Sequence, residues 1–236
     1  MSDPVLEVDG RNFPARLALV DLDGTLVDTA PDIARAVNAV ADEWGFAEPG
    51  LERVRAWVGD GARRLMARAL ADGLGREAEE TELDRAHRAF LDHYARQLVV
   101  DSQPMAGARA LLDRLADGGV RIACVTNKPE VLARGVLGGL DLDGPVEWLV
   151  GGDTLETRKP DAGPLRYVAE NAGFAPGACV VIGDSEVDVA AARNYGCSVI
   201  CLSCGYNRGF ERADSHPDAF VASLAGIAVR PAKEDA

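Results

Sequence analysis

Five short segments of the chain are apolar at almost every position, and several are rich in β-branched residues. A strand with this pattern buries both of its faces, which is typical of parallel strands inside an α/β sheet. We therefore predict buried parallel strands in these segments, at 15–22, 120–127, 146–152, 179–184 and 197–203.

The stretches between the later strands carry apolar residues at helical spacing. Several of them end in glycine, which is a common helix stop. They lie at 106–119, 128–140, 162–174 and 185–196. Strands and helices that alternate in this order predict an α/β fold, a doubly wound parallel sheet with a Rossmann-like core.

The interval between the first two strands is much longer than one crossover helix requires. Its apolar residues follow a helical stripe at Ile33, Val37, Val40 and Trp44, and again at Leu83, Ala86, Phe90 and Tyr94. We predict an inserted all-helical cap domain at 29–103 and a core domain made of 1–28 and 104–236. The first 14 residues and the tail at 230–236 are expected to be poorly ordered ends.

The charge of the chain limits its partners. It holds 236 residues with 25 Lys and Arg against 38 Asp and Glu, a net charge of −13, which argues against nucleic acid as a ligand. No apolar run is long enough to cross a membrane, and the first residues lack the apolar region of a signal peptide. The expectation is a cytoplasmic protein without a membrane partner, either a monomer or a homodimer. Four of the five cysteines, at 124, 179, 197 and 201, lie in or beside apolar runs and are predicted to be buried, reduced thiols, although Cys201 and Cys204 form a C-x-x-C pair.

Two carboxylates follow the first predicted strand, in the segment VDLDGT. Asp21 and Asp23 are two residues apart, so an extended backbone would direct both side chains to the same side. Two neighbouring carboxylates repel each other unless a divalent cation or a proton lies between them. Asp-Gly is also a common turn pair, so the pair alone leaves a simple turn open.

Polar residues also follow the other predicted strands. Thr126 and Asn127 follow the second strand, Asp184 follows a later one with Asp188 one helical turn beyond, and Lys159 precedes a proline. Taken singly, each could be a helix cap or a surface group. Because ligands bind at the carboxyl edge of open α/β sheets, their convergence there predicts a site for phosphate and a metal.

These motifs, namely DLDGT, VTNK, the Lys159 of RKP and GDSEVD, resemble in order and spacing the four motifs of the haloacid dehalogenase superfamily. The resemblance covers about 16–225, and the helical insertion is similar to the cap of many members. Within the superfamily, DTAPDIARAVN, VRAWVGDGARRLMARAL, RKPDAGPL and CGYNRG are most similar to the bacterial phosphoglycolate phosphatases.

The resemblance implies a magnesium-dependent phosphatase and a role for each motif residue. Asp21 would be the nucleophile that forms an aspartyl phosphate, and Asp23 the general acid and base. Mg²⁺ would be held by Asp21, Asp184 and the main-chain carbonyl of Asp23. The phosphoryl oxygens would contact Thr126, Asn127 and Lys159, and Asp188 would orient Lys159 or a metal-bound water.

The substrate implied by the resemblance is 2-phosphoglycolate, a small phosphate monoester. The resemblance also bears on other reactions of the superfamily. Dehalogenases do not need the acid at position 23, so Asp23 disfavours dehalogenation, and phosphonate cleavage needs a cap lysine, which 29–103 lacks. A sugar phosphomutase of the β-phosphoglucomutase type, a phosphatase for N-acetylmuramate 6-phosphate and a non-catalytic binding module remain open. We expect the cap loop WVGDG to close on the substrate carboxylate. Arg63 and Arg64 are nearby cations, but each taken singly is better explained as part of a solvated helix face.

Overall fold

The computed structural model describes residues 3–206, 210 and 216–232, and within them it contains the strands and helices that the sequence pattern indicates, with additions at both ends. The strands are β1 (Val5–Val8), β2 (Arg11–Pro14), β3 (Leu17–Val20), β4 (Val27–Asp28), β5 (Gln103–Pro104), β6 (Arg121–Val125), β7 (Trp148–Val150), β8 (Cys179–Gly183), β9 (Ser198–Leu202), β10 (Ala219–Val221) and β11 (Ala228–Arg230). The helices are α1 (Ala30–Trp44), α2 (Leu51–Trp57), α3 (Ala62–Leu74), α4 (Glu80–Arg96), α5 (Ala108–Asp117), α6 (Glu130–Gly139), α7 (Gly163–Ala172) and α8 (Glu186–Tyr195).

A parallel sheet of six strands, in the order β10-β9-β8-β3-β6-β7, forms the centre of the core. All five predicted strands are confirmed, and β10 adds a sixth at one edge. β3 lies between β6 and β8, so the residues that follow it stand in the middle of the carboxyl edge. The α/β prediction, including the four core helices, is confirmed.

The two faces of β3 explain why its residues are apolar throughout. Ala18 and Val20 pack in a cluster with α5 and α6, whereas Leu17 and Leu19 pack on the opposite face with α7 and α8. Each of these four residues is at most 1% exposed. A strand covered by helices on both faces has no position for a polar side chain until it ends, and this places the first carboxylate at position 21.

The insertion between β4 and β5 is helical, as the sequence predicts. Helices α1, α2, α3 and α4 share an apolar core of their own, which also includes Leu132 of α6. The chain enters and leaves the cap through β4 and β5, which pair with each other in antiparallel fashion. In the described part of the chain, no helix combines the length and apolarity needed to cross a membrane.

The end of the cap is fastened to its beginning through Asp32, in the first turn of α1. Its carboxylate accepts hydrogen bonds from the backbone N–H groups of Val100, Asp101 and Ser102, and from the Ser102 hydroxyl at 2.6 Å. Asp32 is 1% exposed, and Arg35 forms an ion pair with it. Burial opposes its ionisation, but the hydrogen bonds outweigh burial and lower the pKa of Asp32.

The expectation of poorly ordered N-terminal residues was wrong. β1 and β2 form a hairpin and β11 pairs with β1, giving a separate antiparallel sheet. The turn consists of Asp9 and Gly10, both with positive φ (48° and 77°), which suits a two-residue hairpin. Alternation along the strands buries Leu6 and Val8 against the α5 side of the core, and this burial orders the segment. Of the tail, Arg230 belongs to β11, and 233–236 lie outside the described residues.

Candidate active site

Asp21 and Asp23 line one cavity at the carboxyl end of β3. The Asp21 N–H donates to the Ile182 carbonyl at 2.9 Å, so the parallel pairing with β8 continues one residue beyond the strand. Gly24 follows with a φ of 85°, and a Cβ there would collide with the Asp184 carboxylate and the Tyr206 ring. Both carboxylates line this cavity. Glycine is required at position 24 because the backbone turns there with a positive φ and the Asp184 carboxylate approaches it closely.

Each of these carboxylates has its own buried lysine. Lys159 Nζ lies 2.8 Å from Asp21 Oδ1, whereas Lys128 Nζ lies 2.9 Å from Asp23 Oδ1. Asp23 Oδ1 also accepts a hydrogen bond of 2.6 Å from the Thr29 hydroxyl, at the beginning of the cap. Burial favours the neutral amine, but the facing carboxylates outweigh burial and raise the pKa of both lysines.

Asp188 holds Lys159 from the other side. Lys159 Nζ donates to Asp188 Oδ1 at 2.7 Å, and Asp188 Oδ2 accepts from the Ser185 N–H and hydroxyl in a capping box at the start of α8. Because a helix N-terminus fixes Asp188, the ammonium of Lys159 is fixed as well. The position supports the predicted role of Asp188 in orienting Lys159.

The acidic groups at this edge outnumber the basic ones. Asp21, Asp184 and Asp188 place carboxylate oxygens within 4.8 Å of one another. With Asp23, four buried carboxylates share the site with two buried ammonium groups among the residues that the structure describes. Burial above all, with Asp188 and Asp21 as close negative charges, raises the pKa of Asp184 well above its usual range. Burial likewise raises the pKa of Asp21 to about 6 although Lys159 opposes the shift.

This excess of two negative charges, concentrated in oxygen ligands, fits a divalent cation such as Mg²⁺. The grouping differs in part from the predicted set, which contained Asp21, Asp184 and Asp23. The Asp188 carboxylate lies in the cluster, whereas the Asp23 carboxylate is engaged by Lys128 and Thr29. The expected contact of the Asp23 main-chain carbonyl with the ion stays a prediction.

Thr126 and Asn127 lie beside the carboxylates, at the end of β6, and both line the cavity. The Thr126 hydroxyl accepts from the Lys128 N–H at 3.2 Å. The Asn127 side-chain amide donates to the carbonyls of Gly59 in the cap and Lys159 in the core, each at 2.9 Å. Asn127 thus joins the cap loop, the loop of Lys159 and the end of β6.

Lys128 is a site residue that the sequence interpretation missed. The chain contains only three lysines, at 128, 159 and 233, and the first of them follows the predicted phosphate-binding pair directly. Its side chain is 4% exposed and crosses from the end of β6 to Asp23. The rarity of lysine in an arginine-rich chain was the signal that could have found it.

Tyr206 was also missed, although the segment that contains it was noted. Its backbone N–H donates to Asp184 Oδ2 at 2.5 Å, and its hydroxyl accepts from the N–H groups of Thr29 and Ala30 at 2.9 Å. The hydroxyl donates in turn to Asp28. Tyr206 therefore connects Asp184, of the acidic cluster, to the first residues of the cap. Asn207, Arg208 and Gly209 of the same segment lie outside the described residues.

The cap covers the cavity, which stays partly open to solvent. Gly59 and Gly61 of the predicted cap loop line it, as expected. Arg63 does not: its guanidinium donates to Glu80 and Asp84 on α4 at 2.6 and 2.7 Å, and Arg64 is exposed. The α3 helix directs both arginines away because its inward face is occupied by Leu65 and other apolar residues.

The cysteines take no part in this site. Cys201 is buried on β9 and Cys204 is exposed in the loop that follows, and both are free thiols. The other three cysteines are also free and buried, so the prediction of buried, reduced thiols is confirmed for the four that lie in or beside apolar runs.

Comparison with known proteins identifies the family. Residues 15–196 match the model of the haloacid dehalogenase-like hydrolases. The chain is 37% identical over 221 residues to a phosphoglycolate phosphatase of Thiobacillus denitrificans, covering 94% of this chain and 97% of that one. It is 41% identical over 217 residues to a phosphoglycolate phosphatase of Rhodospirillum rubrum, covering 91% and 86%.

A solved structure agrees with these relatives. The crystal structure of a predicted phosphoglycolate phosphatase from Haemophilus somnus superposes with a TM-score of 0.84 at 31% identity, covering 90% of this chain and 96% of the other. This chain is thus similar to these proteins over almost its whole length, which includes the parallel sheet, the helical cap and the acidic edge. The chain belongs to the haloacid dehalogenase-like hydrolases.

Proposed function

We propose that this protein is a magnesium-dependent phosphatase that hydrolyses 2-phosphoglycolate to glycolate and phosphate through an aspartyl phosphate. The observation that carries the proposal is that Asp21 and Asp23 line one cavity and each is paired with its own buried lysine, Asp21 with Lys159 and Asp23 with Lys128. Two carboxylates with separate cationic partners can perform separate steps. The names of the relatives support the choice of substrate.

In the first step a carboxylate oxygen of Asp21 attacks phosphorus and the ester P–O bond breaks. Asp23 gives its proton to the departing alkoxide, which leaves as glycolate. This covalent route divides one very slow hydrolysis into two easier displacements. Lys159, held between Asp21 and Asp188, offsets negative charge on the phosphoryl oxygens. Thr126 and Asn127 contact them from the end of β6, Asn127 through its backbone N–H because both side-chain N–H groups are already donated to carbonyls.

In the second step water attacks the phosphorus of the aspartyl phosphate, and Asp23 accepts the proton of that water. The bond between Asp21 and phosphorus breaks, and inorganic phosphate leaves. Mg²⁺, held by Asp21 and Asp184 with Asp188 close by and, as predicted, the Asp23 carbonyl, would offset the negative charge that the phosphate brings. The cap excludes bulk water while the alkoxide departs.

A turnover screen tests this function. Purified protein is assayed for phosphate release from 2-phosphoglycolate, β-glucose 1-phosphate, N-acetylmuramate 6-phosphate and p-nitrophenyl phosphate, with Mg²⁺ and with a chelator. We expect Mg²⁺-dependent turnover with the highest kcat/KM for 2-phosphoglycolate. Turnover no greater than that of an Asp21→Asn control on every compound would contradict the enzyme, and a preference for a sugar phosphate would contradict the substrate.

A further inference from the structure

The cavity under the cap is mostly apolar on its cap side. Ile33, Val58, Leu65 and Phe90 line it there, together with glycines of the cap loop. Leu132 of α6 continues this surface from the core side. A hydroxyl group placed against these side chains would lose its hydrogen bonds to water without gaining others. The cap surface is therefore unsuited to a leaving group with several hydroxyls.

Two polar groups interrupt this apolar surface. Lys128 carries the one positive charge among the described residues that line the cavity, and its Nζ stands 4.5 Å from the centre of the Tyr94 ring. Asp23 occupies one of its donors at 2.9 Å, and an ammonium group has three. The ammonium is thus held at the boundary between the phosphate site and the cap.

Tyr94 supplies the second polar group, from the last turn of α4. Its side chain is 1% exposed and lines the cavity, and its hydroxyl makes no hydrogen bond of standard geometry among the described residues, although Lys128 lies close enough to interact with it. A buried hydroxyl without a partner is destabilising, so such groups call for an explanation in terms of a ligand or a strained site. Here the hydroxyl and the ammonium of Lys128 flank the same space.

We propose that Lys128 and Tyr94 bind the carboxylate of the substrate's leaving group, and that the apolar cap surface around them selects a short acid over a sugar. The inference rests on the proposed phosphatase function and names the residues that determine its specificity. An ammonium and a hydroxyl, both donors, suit a carboxylate acceptor, and the Lys128 contact with Asp23 keeps that carboxylate next to the proton-transferring group. Arg63 is not available for the substrate carboxylate, because it is engaged by Glu80 and Asp84.

The test compares two phosphate esters that differ in the leaving group. The measured quantity is kcat/KM for 2-phosphoglycolate divided by kcat/KM for 2-hydroxyethyl phosphate, which carries a neutral alcohol in place of the carboxylate. We expect Lys128→Gln to lower this ratio by roughly 100-fold and Tyr94→Phe by roughly 10-fold, since a site built for a polar group discriminates strongly through it. The matched control, Arg63→Ala, removes a nearby cap cation and should leave the ratio unchanged.

An unchanged ratio in Tyr94→Phe would overturn the role of Tyr94. Equal losses on both esters in Lys128→Gln would confine Lys128 to its contact with Asp23 and overturn its role in specificity. Tyr94→Phe retains the ring and alters no charge, so it tests the site even if Lys128→Gln does not fold, which melting temperature and circular dichroism would report.

A binding measurement separates this inference from the proposed function. Calorimetric titration of Asp21→Asn protein with 2-phosphoglycolate measures recognition without turnover. Adding Tyr94→Phe should weaken 2-phosphoglycolate binding and alter 2-hydroxyethyl phosphate binding much less; equal effects on both ligands would overturn the inference. A wild-type protein that binds 2-phosphoglycolate in preference but hydrolyses neither ester would instead contradict the phosphatase function alone.

Discussion

Asp32 and Asp184 are both almost completely buried, at 1% and 2% exposure, but their surroundings shift their pKa values in opposite directions. Asp32 faces donors: backbone N–H groups, the Ser102 hydroxyl and Arg35. Asp184 faces other carboxylates, with the Tyr206 N–H as a close donor. Solvent exposure is nearly the same in the two places, but Asp184 lies deeper in the protein, and the charge and hydrogen bonding around the two carboxylates differ as well.

The difference separates an acid that stabilises the fold from acids that are available for chemistry. The donors around Asp32 compensate for its lost hydration, so its charge contributes to stability. Asp184 has fewer such donors and lies beside Asp21 and Asp188, so a cation can supply the compensation that it lacks. A buried carboxylate is therefore informative about function only when its partners are known.

The largest expected effect comes from Asp21→Asn. Turnover of 2-phosphoglycolate should fall by roughly 10⁴-fold or more, because the amide cannot act as the nucleophile. The free energy of unfolding without metal should stay the same or rise, since one of the repelling charges is removed. Phosphate release and urea denaturation measure the two quantities. A marked loss of stability would contradict the contrast with Asp32.

Magnesium binding should stabilise the protein through the acidic cluster. At an Mg²⁺ concentration of 100 times its Kd, the free energy of unfolding should rise by about 2.7 kcal/mol. Asp184→Asn should abolish most of this gain, whereas Asp32→Asn should retain it. Urea denaturation with and without Mg²⁺ measures the gain for each protein, and an equal gain in all three would exclude the cluster as the metal site.

Asp32→Asn should lower stability instead of activity. The amide keeps one acceptor oxygen and loses the other, so some donors from the end of the cap remain unpaired, at a cost of about 1–3 kcal/mol. Because Asp32 lies outside the cavity lining, kcat per folded molecule should change little. A loss of kcat comparable to that of Asp21→Asn, at equal folded fraction, would show that the two carboxylates do not differ as described.

Stability should also depend on pH in protein treated with a chelator. The pKa of Asp21 is raised to about 6, so between about pH 4 and pH 6 the folded state retains a proton that the unfolded state has lost. Stability from this group therefore falls as pH rises through that range. The pKa of Asp32 is lowered, so its contribution has the opposite sign: the stability that it provides is lost as pH falls below about 4.

The urea midpoint measured from pH 3 to pH 7 would resolve both contributions. Relative to wild type, Asp21→Asn should remove part of the decline between pH 4 and pH 6, and Asp32→Asn should flatten the acid limb. Identical profiles for all three proteins would show that neither group titrates differently on folding.

The core was predictable from the sequence because its strands are apolar on both faces. Apolar runs of this kind fit few structures other than a buried parallel strand. Asp21, immediately after Val20, marks the point where helices no longer cover both faces of the strand. The N-terminal hairpin was overlooked because its strands are short and alternate with polar residues. The Asp9-Gly10 turn was nevertheless present in the sequence as a hairpin signal.

The site was predictable only where it follows strand ends. Motif positions place Asp21, Asp184 and Lys159 at one edge, but side-chain partners across the cap interface depend on packing between distant segments. The contact of Lys128 with Asp23 spans 105 residues, and that of Tyr206 with Thr29 spans 177. Local patterns carry no information about such distances, and they do not show that Arg63 is engaged by Glu80 and Asp84.

The pairing of β4 with β5 has a consequence for how this fold can change over generations. Val27 faces Pro104 and Asp28 faces Gln103, so both ends of the insertion are held side by side. The entropy of closing a loop grows only with the logarithm of its length, so a longer or shorter insertion alters the stability of the sheet little. The fastening between Asp32 and Ser102 is carried within the insertion itself. We expect the segment to be exchangeable as a cassette, which lets selection alter leaving-group recognition by the cap while the catalytic edge of the sheet stays the same.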